Sequence, residues 1–174
     1  TTVLASYDGF VHFLPSPDGR RVAYRVLDQS PPAVTVGLSA QAGAEPGELV
    51  VVDVESGDES VVATDNPLAF FWSPDSLKLL YLSVASDGFS WSVWDGEEVT
   101  EYDTFTPSRS FGRDYLPFFD QFAQSIELWA PDSGSFVYSG RRLGDPDSGI
   151  WVQPLDGPVR RITDGVFAAF VPSQ

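Results

Sequence analysis

The sequence predicts an all-β fold assembled from repeated four-stranded antiparallel units. Three observations carry that prediction. A Pro-Asp turn recurs at regular intervals, strand-favouring runs flank each copy, and no stretch of twelve residues holds the period of an amphipathic helix. The copies are Leu14-Pro15-Ser16-Pro17-Asp18-Gly19, Phe71-Trp72-Ser73-Pro74-Asp75-Ser76 and Leu128-Trp129-Ala130-Pro131-Asp132-Ser133, with a degenerate fourth at Ala169-Phe170-Val171-Pro172-Ser173. Pro17, Pro74, Pro131 and Pro172 are separated by 57, 57 and 41 residues, and a tyrosine follows seven residues after each of the first three, at Tyr24, Tyr81 and Tyr138.

Each copy has the chemistry of a type I turn, with Pro fixing φ at the second position and Asp and Gly or Ser after it. Taken in order, residues 2–6 read as the outermost strand of a preceding unit. The first unit, about 10–63, runs through strand A into the turn at Pro17, strand B at 20–26, an insertion at 28–47, strand C at 49–54 and, after Glu55-Ser56-Gly57-Asp58, strand D. The second, about 68–103, places B at 77–82 and C at 91–94, with Asp95-Gly96 as a short hairpin signal. An insertion at 104–123 follows. The third unit, about 124–163, repeats the order with B at 135–139, C at 150–155 and the hairpin at Asp156-Gly157. Residues 166–171 read as strand A of a following unit. Four-stranded meanders at this spacing are β-propeller blades, and about three complete blades plus single strands of two neighbours make an incomplete ring, since propellers have roughly four to eight blades. Further blades from the same or another chain are therefore expected partners.

Composition narrows the function. Asp and Glu outnumber Lys and Arg 25 to 10, a net charge of -15 that repels nucleic-acid phosphates. With no cysteine and His12 alone, neither a thiolate zinc site nor a multi-histidine metal site can form, so no metal and no cofactor is expected. No Gly-x-Ser-x-Gly elbow is present, and no run approaches the roughly 18 apolar residues of a membrane span. Gly144-Asp145-Pro146-Asp147-Ser148-Gly149 is rich in oxygen ligands but lacks the spacing of a calcium loop, and reads as a turn.

The Trp-Ser-Pro-Asp-Ser/Gly motif with its later Tyr resembles the WD40-like repeats of TolB-type β-propellers, and is similar to the propeller domains of prolyl oligopeptidase-family peptidases. Pro17, Tyr24, Trp72, Pro74, Tyr81, Trp129, Pro131 and Tyr138 carry the resemblance as structural repeat positions. It implies a propeller fold and, through TolB, an extracytoplasmic setting. Pro15 in place of the aromatic and Ala130 in place of Ser depart from the pattern.

In a meander the A–B and C–D turns share one end of the blade, and the B–C and D–A connections share the other. Both insertions therefore emerge on one face, whose loops are expected to carry recognition, while the tight turns opposite leave little room for a site. The second insertion is rich in apolar and aromatic side chains, which either plug the blade ends or form a partner surface. Arg109, Arg113, Tyr115, Phe118, Phe119 and Asp120, with Arg141 and Arg142, are the candidate partner-binding residues. The reading is a non-catalytic binding or scaffold propeller that engages a protein through its long-loop face. The alternatives are the regulatory propeller of a serine peptidase whose hydrolase domain is absent here, and a glycosidase-like propeller with paired carboxylates.

Overall fold

A computed structural model describes residues 11–27 and 47–170. The strand expected at 2–6, all of the 28–47 insertion except Gly47, and residue 171 lie outside the described residues. The first blade is an antiparallel sheet in the order β1 (Val11–Pro15), β2 (Arg21–Val26), β3 (Leu49–Asp53) and β4 (Glu59–Ala63). The second follows as β5 (Ala69–Trp72), β6 (Leu79–Ala85), β7 (Gly88–Trp94) and β8 (Val99–Glu101). After β9 (Phe105–Pro107) and a helical segment come β10 (Ser135–Arg142), β11 (Gly149–Pro154) and β12 (Arg160–Thr163) of the third blade. Strand A of that blade is reduced to a bridge between Trp129 and Phe136, supported by bonds from Val137 N–H to the Leu128 carbonyl and from Ala130 N–H to the Ser135 carbonyl. Residues 166–170 form no ladder of their own, and Phe170 bridges to Glu127.

The 104–123 insertion opens with a strand rather than a loop. β9 pairs with β10 through three residue pairs and with β7 through Phe89 and Phe105, so it joins the second and third blades into one continuous sheet. Gly88 and Gly140 permit this crossing. A Cβ on Gly88, at φ 144°, would stand 2.5 Å from the Phe105 carbonyl oxygen, and one on Gly140 would strike that of Thr106. Above the joint, Trp91 of β7 forms the centre of the core, with Phe71, Phe105, Phe111 and Phe136 all within 6.2 Å of its ring centroid.

The repeat motif does two things in three dimensions. Within a blade it closes the A–B turn: the Ser16 and Ser73 hydroxyls donate to Asp18 and Asp75 at 2.6 and 2.5 Å, and each accepts the backbone N–H five residues on, from Arg21 and Lys78. Between blades it staples. Trp72 Nε1 donates to the Leu14 carbonyl of the first blade at 3.0 Å, and Trp129 Nε1 donates to the Phe71 carbonyl of the second at 3.1 Å. Ser76 and Ser133, both in the left-handed region at φ 63° and 56°, turn their hydroxyls back to accept the N–H of Asp18 and Asp75 in the preceding blade. Ala130 forfeits only the intrablade link, and Asp132 still accepts the Gly134 N–H at 2.9 Å.

Candidate functional site

The helical cap lies between β9 and the third blade and carries both buried and exposed aromatic side chains. Ser108 starts it: its hydroxyl bonds that of Ser139 at 2.9 Å and accepts the Phe111 N–H at 3.2 Å. A π-helical turn (Phe111–Tyr115), a 3-10 turn (Leu116–Phe118) and the short helix α1 (Phe119–Phe122) follow. Sequence periodicity gave no sign of this helix, because its three turns have different pitch and Pro117 interrupts the donor series. Tertiary packing holds it instead. Phe111, Tyr115 and Phe119 are buried, the last against Phe70 and Phe71 at 5.2 and 5.9 Å.

That packing corrects two of the candidate partner-binding residues. Tyr115 and Phe119 are core side chains, and burial pushes the Tyr115 phenol well above its ordinary pKa. Phe118 remains 48% exposed, Arg109 and Arg113 point into solvent, and Asp120 is half-buried. Phe122 and Phe167, neither singled out from the sequence, extend the exposed aromatic surface at 38% and 36%, and both pack on Tyr115. Phe122 closes the apolar run of the insertion, whereas nothing local marks Phe167. Arg141 and Arg142 line a small cavity of about 180 Å³ beside β9, to which no residue of the helical cap contributes. Arg142 is engaged there, with its guanidinium 2.6 Å from Asp103 and over the Trp151 ring. The structure does not gather these two arginines into one cleft with Arg109 and Arg113.

The larger cavity, about 480 Å³, runs along the innermost strands of all three blades. Leu14, Pro15, Phe71, Trp72, Leu128 and Trp129 form its floor, Gln124 and Glu127 its polar rim, and Pro17, Gly19 and Pro74 its end at the A–B turns. Tight turns were expected to leave that face without room. Room arises between blades, where residues of three different A–B motifs and the 123–127 segment line one space, which no single turn records. Beside this cavity, Arg21 stacks 5.1 Å from the Trp72 ring centroid and donates to the Ser76 carbonyl.

His12 lies on β1 opposite Arg25. Burial and Arg25 hold its pKa below the ordinary histidine value against the attraction of Asp120, burial having the largest effect. Among the described residues no three His, Asp or Glu side chains gather as metal ligands, and no helix is long and apolar enough to cross a membrane.

No protein-family model matches the chain. No curated protein matches it either. Among solved structures it is similar to TolB from Acinetobacter baumannii, at 16% identity and a TM-score of 0.54, over 95% of this chain and 35% of that one. It is also similar to a structure from an analysis of two prolyl endopeptidases, at 17% identity and a TM-score of 0.49, over 92% of this chain and 23% of that one. An acylaminoacyl peptidase from Pyrococcus horikoshii gives 17% identity and 0.49, over 92% and 25%. The chain thus spans about a third of the TolB structure and less of each peptidase. At such identities the likeness establishes architecture, and of these three the TolB match alone exceeds a TM-score of 0.5. Together with the blade order and the motif-coded junctions, it identifies the chain as a partial β-propeller of TolB-like fold.

Proposed function

We propose that the chain belongs to a non-catalytic binding propeller that engages a protein partner through the face bearing the helical cap. The observation that carries the proposal is the two-sided build of the cap. Phe111, Tyr115 and Phe119 fix it to the core, while Phe118 and Phe122 and, earlier in the same segment, Arg109 and Arg113 are exposed. Aromatic and arginine side chains on a rigid support lose little entropy on binding and dominate interface energetics.

The test is capture of binding proteins from the source cells on the immobilised chain, compared with Phe118→Ala/Arg113→Ala and with substitutions in the Glu55–Asp58 turn as control. Proteins retained by the native chain and lost with the cap variant, at an unchanged unfolding midpoint, support the proposal. Loss with the turn variant alone overturns the choice of face. Capture dominated by a serine hydrolase domain would move the reading to the regulatory propeller of a peptidase.

A further inference from the structure

His12 stands where the first blade meets the cap. Its ring meets Phe119 edge-on at 5.1 Å between centroids, so the imidazole joins the first blade to an aromatic group made by Phe119 of the cap with Phe70 and Phe71. Its Nδ1 is buried and has no hydrogen-bond partner. A neutral ring can present that nitrogen as a lone pair at modest cost, whereas an imidazolium must carry an N–H there with nothing to receive it. Two charged groups act on it. Arg25 on β2, whose guanidinium donates to the Pro67 carbonyl, opposes a second positive charge, Asp120 on α1 favours one, and β5 supplies no titratable residue.

We propose that His12 is a pH-sensitive clasp: neutral, it holds the end of the cap against the first blade, and its protonation loosens residues 116–124 from that blade. The effect reaches the large cavity, because Ala123 and Gln124 form part of its wall. The direction follows from linkage. A histidine that binds its proton less readily folded than unfolded gives a contact that is complete above the ordinary histidine pKa of about 6.5 and is lost as pH falls below it toward the folded value. His12 is the single histidine of the chain, so between about pH 5.5 and 7.5 it is the side chain whose ordinary pKa is crossed.

Hydrogen exchange followed by mass spectrometry, corrected for intrinsic rates, tests this at about pH 7.5 and 5.5. The expected result is a rise of about fivefold or more in opening of residues 116–124 at the lower pH, with β6 and β7 unchanged. His12→Phe keeps an aromatic edge against Phe119 and removes the titrating site, so its response should fall below about twofold. An equal response in native and His12→Phe chains, or none in the native chain, overturns the proposal. Should His12→Phe not fold, the imidazole resonance of the native chain decides: a titration midpoint below that of the urea-unfolded chain supports the clasp, and one at or above it overturns it.

Discussion

Phe13 and Phe70 hold the same place in successive blades, each on strand A and each directly opposite the repeat tyrosine, Tyr24 or Tyr81. Phe70 is completely buried and Phe13 is 61% exposed. The strand period puts both rings on the same side of their sheets, so local sequence does not make the difference. What differs is the neighbour. The side of the second blade that carries Phe70 and Trp72 packs on the first blade, and the Trp72 and Ser76 staples cross that junction. The first blade has Pro15 and Gly19 at those two positions, neither of which can make the bond. The comparison teaches that the Trp and the final Ser of the motif serve the contact with the preceding blade, whereas the Asp carboxylate closes the turn of the blade in which it stands and only its backbone N–H reaches the next blade.

The largest expected effect tests the buried member of the pair. Phe70→Ala should cost about 3–5 kcal/mol in urea unfolding, as a fully buried aromatic does, and Trp129→Ala, at 1% exposure, should fall in the same range. A loss below about 1 kcal/mol for both would break the assigned register. The staples themselves are smaller. Trp72→Phe keeps most of the packing and removes the donor to Leu14, for an expected loss of about 1 kcal/mol.

Ser76 separates backbone strain from bonding. Ser76→Ala should be worse than Ser76→Gly by about 1 kcal/mol, because both lose the acceptor for the Asp18 N–H but only glycine sits in the left-handed region without cost. Equal losses would mean that the conformation of this residue is not what the turn imposes. Smallest of all, Phe13→Ala should change the unfolding free energy by less than about 0.5 kcal/mol. A loss approaching that of Phe70→Ala would show that the first blade's face is covered in solution, and would dissolve the contrast.

Much of the architecture was legible because turn chemistry and strand alternation are local. Pro17, Pro74 and Pro131 mark the A–B turns, and Asp95-Gly96 marks a C–D hairpin, each from a few residues whose backbone preferences suffice. The helical cap was not legible, since its turns have no common period and are held by Trp91, Phe70 and Phe71, which lie twenty or more residues away in the chain from the rings they hold. For the same reason the insertion could be recognised as aromatic-rich without revealing which aromatics turn inward.

By itself, then, the sequence determined the blade as a unit: its order of strands, its turns and the spacing at which the motif recurs, all of them consequences of backbone preference within a few residues. The tertiary structure decided what those units do to one another. That Trp72 and Trp129 reach back to carbonyls 58 residues earlier, that Tyr115 and Phe119 are core while Phe118 and Phe122 are surface, and that the inner strands leave a cavity of about 480 Å³ depend on how blades are placed side by side. Burial belongs to a side chain and its distant neighbours together, and local pattern fixes only the direction in which a residue points.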